Sequence, residues 1–459
     1  MPAADLAWLL AAFALVVLMF PGLALFYGGM LGSKNALNMI MMVFSTLGVT
    51  AVLYVLFGYG LVSGNSLGGL GLIGNPMDHL GLAGFHDDGG TGGAEELYWA
   101  AFFILFAAIT IAIVASGAAG RMKFSAWLVF SAIWLTLVYF PLAHWVFTFD
   151  DPDSGYVGGW MRNSLQLHDF AGGTAVHMNA GVAALALALV LGGRRSPTHR
   201  PHNMPLVVLG AGILWFGWFG FNGGSAGGAN FLAQYVVLTT LLAGATGILG
   251  FCLVERFRDG HATTLGMATG AISGLVGITP SADAVNSIGA LFVGFASGAV
   301  VAWAVTWKNK MRIDESLDAF AVHGVGGIVG VFCVILVGAS NSPAGITGIL
   351  LGGSWDIVWR ELVAIIATCT FSFVMTYAIA WSLQRTMGLR VTPEAEDAGL
   401  DVSEHAESAY DLDRGATATR IGGPAAARGE EESIARHEAP AGRRDESSGP
   451  LATASGPTG

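Results

Sequence analysis

The chain has 459 residues, 54% of them hydrophobic and 12% charged, where a soluble globular protein carries about 25% charge. That composition excludes a soluble domain and describes an integral membrane protein. The formal net charge of −11 gives nucleic acid no basic patch to bind.

A hydrocarbon core of about 30 Å takes roughly 20 helical residues to cross. Apolar runs of that order recur eleven times, near residues 6–30, 36–62, 97–119, 125–147, 169–192, 204–222, 231–254, 262–279, 284–307, 318–338 and 357–383. The expected fold is an all-α polytopic membrane protein with eleven transmembrane helices, occupying residues 1–384. The first span carries Asp5 and has no Lys or Arg before it, so it lacks the basic opening of a signal peptide and reads as a retained helix. The 66 glycines are spread through the spans, where small residues let helix backbones approach closely in lipid. Cys252, Cys333 and Cys369 all fall inside apolar runs and read as core residues, implying neither disulfide nor metal chemistry. No cofactor is expected.

From Arg385 onward there are 14 acidic and 8 basic residues, a net of −6 that leaves −5 for the membrane body. Residues 385–410 keep enough apolar side chains to dock on that body as a cytoplasmic regulatory segment. Residues 411–459, rich in Gly, Ala, Ser, Pro and charge, read as a disordered tail.

Lys and Arg in short loops set orientation. Eleven of the thirteen loop cations (Lys34, Arg121, Lys123, Arg194, Arg195, Arg200, Arg256, Arg258, Lys308, Lys310 and Arg312) fall on the tail's side, against Arg162 and Arg360 on the other. The N-terminus is therefore expected outside and the tail in the cytoplasm. The outer loops are acidic, with Asp78, Asp87, Asp88, Glu95 and Glu96 in one and Asp150, Asp151 and Asp153 in another.

Spans one to five and six to ten form two sets of five, the second inverted, with one extra helix. The fifth helix of each set carries an Asp and an Ala-Val-His: "DFAGGTAVHMNAG" from Asp169 and "DAFAVHGVGG" from Asp318. Matching segments at matching places are what an inverted 5+5 repeat predicts. Asp169 and Asp318 are each placed to cap a helix start. A rise of 1.5 Å per residue sets His177 about 12 Å in from one end and His323 about 7.5 Å in from the other. An ionisable group inside a membrane is a functional hypothesis by default; the alternative is a neutral imidazole bonded to a carbonyl, holding two helices together. The symmetric pair favours function, whereas His144, in "YFPLAHWVF", has no such counterpart and reads as structural.

The stretches "PGLALFYGGM", "AAITIAIVASGAAGRMKFSA", "DFAGGTAVHMNAG", "GWFGFNGGSAGGAN", "GAISGLVGITP", "AVHGVGGIVG" and "GLDVSEHAESAY", in that order, resemble the ammonium transporter family, which is related to the Rh glycoproteins. The resemblance runs from about residue 6 to residue 410. It implies a plasma-membrane homotrimer in which every chain has its own pore, conducting ammonium or ammonia and also methylammonium. By that resemblance His177 and His323 are the twin histidines of the pore, Phe106 and Phe221 its outer gate, and Ser225 with Phe106 and Phe147 the recruitment site. Asp169, Asp318 and Thr279 have structural or electrostatic roles, and Phe26 with Tyr27 lie near the inner exit. A PII-type regulatory protein is the cytoplasmic partner the resemblance suggests.

Two departures stand out. Phe147 occupies a position where the family commonly has tryptophan, the stronger cation–π partner, and about ten extra residues follow it, within "TFDDPDSGYVGGWMRN". Gly120 stands where an acidic residue usually precedes the arginine, so the Ala119–Arg121 turn is expected to be less anchored. Three rivals follow. A Rh-like electroneutral gas channel for ammonia or carbon dioxide suits Phe147. A sensor needs a folded signalling domain that the polar tail does not supply. An intramembrane enzyme needs a nucleophile or metal motif, and no HExxH or GxSxG accompanies the histidines.

Overall fold

A computed structural model describes residues 1–85, 93–196 and 200–410. Asp87 and Asp88 of the acidic loop, the side chain of Glu95 and the whole expected tail, 411–459, lie outside the described residues. Ten helical segments are long and apolar enough to cross a membrane: α1 (Ala3–Met30), α2 (Ser33–Ser63), α3 (Glu96–Ala118), α4 (Phe124–Phe147), α5 (Gly173–Leu191), α6 (Met204–Gly224), α7 (Phe231–Asp259), α9 (Ser287–Lys310), α10 (Phe320–Val337) and α11 (Asp356–Thr386). The eighth expected span, α8, is a shorter helix of 15 residues, Thr264–Ile278. At 1.5 Å per residue it is about 22 Å long, and the chain continues past it through a buried turn, 279–285. The chain is a multi-pass membrane protein.

Two helix crossings organise the bundle, and each joins corresponding members of the two halves. α1 meets α6 where a Cβ on Gly210 would lie 2.4 Å from Phe26 N. α5 meets α10 where a Cβ on Gly181 would lie 2.1 Å from Gly324 N. No larger residue fits either crossing, so these glycines set the backbone separation through which the central helices pair. Both α5 and α10 open with a widened π-helical stretch, Gly173–Met178 and Phe320–Val325, and each stretch holds one of the two histidines. Such single turns recur at functional sites because they shift side-chain register within a helix.

The face where α1 begins, here called the N-terminal face, is closed by the residues beyond α4. Residues 148–163 form a tight excursion in which Asp151 and Tyr156 exchange backbone bonds of 2.9 Å, and the Tyr156 hydroxyl donates to Ser63 O. The middle of the excursion therefore folds onto the loop after α2, while Phe149 and Arg162 near its two ends face the cavity on this side of the molecule. On the opposite, tail face the C-terminal segment docks as two short helices, Pro393–Ala398 and Leu400–His405. The Asp401 carboxylate accepts from Leu37 N and Asn38 N at 3.1 and 2.8 Å, and Arg390 donates to Leu191 O and Gly193 O at 3.0 and 2.8 Å.

That docking corrects the expectation for the Ala119–Arg121 turn. Gly120 adopts φ +69°, a left-handed conformation that favours glycine. Arg121 is buried and donates to Ala119 O and Asp314 O at 3.1 and 2.6 Å. Lys123 N donates to Leu389 O at 2.9 Å and Val391 N to Arg121 O at 3.0 Å. The turn is anchored from the C-terminal side, with no acidic neighbour needed.

Candidate functional site

Asp169 is fully buried at the start of α5. Its Oδ1 accepts from Gly172 N and Gly173 N, and its Oδ2 from Thr174 N, all at 2.8 Å, with the Thr174 hydroxyl a further donor to Oδ2. One carboxylate thus satisfies three of the four backbone donors that a helix start leaves free. Gly172, at φ +104°, makes the sharp reversal that brings them round it.

The matching place on α10 differs from expectation. Asp318 sits at φ +59° and turns its side chain to Lys308 Nζ at 2.6 Å. Glu315 does the capping instead, accepting from Phe320 N at 3.1 Å and from Leu317 N at 3.3 Å, with Ser116 and Lys308 also against it. Asp318 is an ion-pair residue, and the cap is three positions upstream in "DESLD".

Between these two helix starts the histidines meet. His177 Nδ1 and His323 Nδ1 are 3.2 Å apart and the rings stack at 5.3 Å with planes 22° apart. The close crossing at Gly181 and Gly324 makes the approach possible despite their different depths. Only one proton fits between two Nδ1 atoms, so in a neutral pair the ring whose Nδ1 accepts carries its single N–H hydrogen on Nε2, and the ring whose Nδ1 donates presents a bare Nε2. His177 Nε2 has no hydrogen-bond partner in the chain. Trp218, which the sequence reading passed over, stacks on His177 at 5.2 Å and 19°. Trp218 Nε1 donates to Thr279 Oγ1 at 2.9 Å, and Thr279 in turn donates to Leu275 O at 2.8 Å. Thr279 therefore positions the indole that backs the histidine. His144 donates to or accepts from nothing in this group; its Nδ1 meets Val62 O at 2.7 Å.

The histidines, Trp218 and Phe221 line a lumen of about 10 Å³ whose other walls are apolar, among them Leu23, Phe26 and Ile272. That volume is at the lower limit for one water-sized molecule. Phe106 and Phe221 close it towards the N-terminal face, stacked at 4.0 Å with planes 5° apart. Phe26 is on the lumen wall, and its neighbour Tyr27 is fully buried beside it, with ring centroids 6.0 Å apart.

Beyond the Phe106–Phe221 stack lies a cavity of about 310 Å³ whose wall includes Trp99, Phe103, Phe106, Phe147 and Ser225. Phe103 stacks against Trp99 at 5.6 Å and meets Phe147 at 5.5 Å with the planes tilted by 32°. The Ser225 hydroxyl donates to Phe221 O at 2.8 Å, which leaves its oxygen free to accept. At the other end of the lumen a cavity of about 500 Å³ is lined by charged groups, including Arg194, Lys308, Asp314, Glu315 and Asp318. Burial alone would raise the Asp314 pKa, but the bonds from Arg194 outweigh it and hold the carboxyl at about 2. Among the described residues no group of three or more His, Cys, Asp or Glu side chains is placed to hold a metal.

The profile of the Ammonium Transporter Family matches residues 7–410. An ammonium transporter of Corynebacterium glutamicum is 59% identical over 413 residues, which is 90% of each chain. One from Mycobacterium tuberculosis is 47% identical, covering 89% of this chain and 90% of its own. The crystal structure of Saccharomyces cerevisiae Mep2 superposes with a TM-score of 0.78 at 30% identity, over 92% of this chain and 95% of that one. A solved sensor Amt protein superposes with a TM-score of 0.78 at 28% identity, over 88% of this chain and 98% of its own. The chain belongs to the ammonium transporter family.

Proposed function

We propose that this ammonium transporter recruits ammonium in the aromatic cavity on the N-terminal face, that the ion gives its proton to the hydrogen-bonded His177–His323 pair, and that neutral ammonia and the relayed proton cross the lumen separately and rejoin as ammonium at the tail face. The observation that carries the reading is the junction of two unlike spaces. A roomy cavity with aromatic faces and a free serine oxygen abuts a lumen of about 10 Å³ whose polar groups are imidazoles.

The physical problem is to pass ammonium nitrogen and refuse potassium, a cation of similar size. A well-placed aromatic face attracts either cation by about 0.5–2 kcal/mol, so the cavity cannot discriminate by rings alone. A bare ion in a dry interior costs several kcal/mol even after relaxation, and the lumen offers no charge to offset that. Ammonium alone can surrender a proton and continue uncharged. The Ser225 oxygen accepts one ammonium N–H, Phe147 and Phe103 supply ring faces, and Phe106 with Phe221 swing apart to admit the molecule. The two Nε2 atoms then offer ammonia one donor and one acceptor. Asp169, already holding three backbone N–H groups and a hydroxyl, acts as a structural cap with an electrostatic contribution, and Phe26 with Tyr27 border the exit.

The same reading includes methylammonium as a slower substrate and places the N-terminal face outside the plasma membrane, in keeping with the loop cations. A homotrimer agrees with a lumen enclosed entirely within one chain. The docked segment 387–405 and the tail-face loops form the surface for a PII-type regulatory protein. The test is current across a solid-supported membrane carrying the purified protein after ammonium and then potassium jumps, alongside uptake of radiolabelled methylammonium. Ammonium-only current supports the proposal. Uptake without current would favour the Rh-like electroneutral channel, the reading to which Phe147 lends weight.

A further inference from the structure

The cavity on the N-terminal face carries an ion pair that the transport scheme above does not use. His168, the residue before Asp169, places Nε2 2.9 Å from Asp283 Oδ1. Asp283 comes from the buried turn after α8, so the pair joins the two halves of the molecule across the mouth of the lumen. Both residues line the cavity together with Ser225 and Phe147, and their side chains are 16% and 13% exposed. The pair is neither sealed in the core nor free in solvent.

The charges around the pair can be followed one by one. Arg162, from the residues beyond α4, reaches the same cavity and donates to Asp169 O and Val146 O, both at 2.9 Å, while lying 4.7 Å over the Phe149 ring. Its positive charge faces the negative charge of Asp169, and the two offset each other at the cavity's floor. Glu361, on α11, is buried behind the wall and accepts from His168 N at 2.9 Å. Arg360 is engaged by Asp356 and Gln166. Tyr235, on α7, donates to Val285 O at 3.0 Å. Glu361 acts on His168 in the same sense as Asp283 but does not line the cavity, so Asp283 and His168 are the pair that faces an arriving cation.

We propose that Asp283 is a second recruitment residue of the vestibule, its carboxylate concentrating ammonium above the Phe106–Phe221 stack, and that His168 switches that charge by gaining or losing a proton. With His168 neutral the pair presents one negative charge to an arriving cation; with His168 protonated it presents none. The inference rests on the ammonium-transport reading and gives a vestibule with Phe147 in place of the stronger aromatic partner a second source of attraction for a cation. Burial disfavours the imidazolium, but the Asp283 carboxylate outweighs it and holds the His168 pKa above the ordinary histidine value. The charge is therefore masked in acid and unmasked as pH rises through that raised value. One unit charge acting over about 7 Å changes the occupancy of a cation by about threefold at the dielectric of water and by up to about fiftyfold at the effective value near a protein surface, less at high salt.

The test is the half-saturating ammonium concentration for current through the full chain in liposomes, at constant ammonium ion and between about pH 5 and 8, the interval in which histidines titrate. The native protein is expected to show half-saturation falling as pH rises, with the saturating current little changed. Asp283→Asn removes the charge and keeps the shape; it should raise half-saturation at least about threefold at the alkaline end and flatten the pH profile. His168→Gln leaves Asp283 permanently unmasked; it should hold half-saturation low at every pH. Opposite shifts from two neighbouring substitutions are not what loss of a merely structural contact produces. Native pH dependence persisting in both variants, or both lowering only the saturating current, overturns the proposal. A native chain that carries no ammonium at all removes the transport reading itself and this inference with it, a result distinct from either variant's failure.

Discussion

The two helices that carry the histidines begin in contrasting ways. α5 is capped by one residue close in sequence, Asp169, whose carboxylate holds Gly172, Gly173 and Thr174. α10 is capped by Glu315, itself one member of a network that reaches Lys308 on α9, Ser116 in the last turn of α3, and Asp318. The interior ends of both elements nevertheless converge on stacked imidazoles. Symmetry is kept where the histidines meet and relaxed at the two mouths. One mouth sets aromatic rings beside the His168–Asp283 pair, Arg162 and Asp169, the other is lined by charged groups including Arg194, Lys308, Asp314, Glu315 and Asp318, and on the proposed reading the first captures a cation and the second releases nitrogen to water.

The contrast can be broken most severely at Asp169. Asp169→Ala leaves three buried backbone donors without partners, at about 1–3 kcal/mol each. The expected result is a loss of several kcal/mol, seen as poor yield and a much lower unfolding temperature in detergent; an unshifted melt would refute the capping account. Next comes Gly181→Ala, whose Cβ would fall 2.1 Å from Gly324 N. Forcing α5 from α10 costs about 1–3 kcal/mol in overpacking and parts the Nδ1 atoms. Ammonium current should drop about tenfold or more, the equivalent of roughly 1.4 kcal/mol in a barrier.

Glu315→Ala sharpens the comparison from the other side. It removes the α10 cap, yet Lys308 keeps Asp318 at 2.6 Å, so the loss should be about 1–3 kcal/mol and smaller than that of Asp169→Ala. The unfolding temperatures of the two variants, measured together, rank the caps directly. Thr279→Val has the smallest effect. It strands the Trp218 indole N–H at a cost of about 1 kcal/mol, and a modest fall in current with a slightly lower melt is the expected signature. A variant with native current would show that Trp218 needs no positioning.

Much of this architecture is readable in the sequence because lipid restricts the alternatives. Long apolar runs cross, glycines mark crossings, and a repeated Asp-to-His segment announces paired helices. α8 falls short because its last turns are spent on the buried 279–285 loop, where Thr279 and Asp283 are placed. Asp318 misleads because "DESLD" holds three acids within five residues, and spacing cannot tell which one turns back to the helix start. Trp218 passes for a core residue, although its spacing of three from Phe221 and seven from Ser225 puts all three on one helical face. Trp99, Phe103 and Phe106 carry the same signal on α3. His168 and Asp283 stand 115 positions apart, and only the folded chain brings them together.

The central claim is that His177 and His323 make the lumen a path for ammonia and a barrier to ions. The direct measurement is solid-supported-membrane current after ammonium and potassium jumps, comparing the native chain with the double variant His177→Ala, His323→Ala. The account predicts ammonium-only current in the native protein, and in the variant either no current or one that potassium also carries. A double variant that keeps the native ammonium current and still excludes potassium would contradict it.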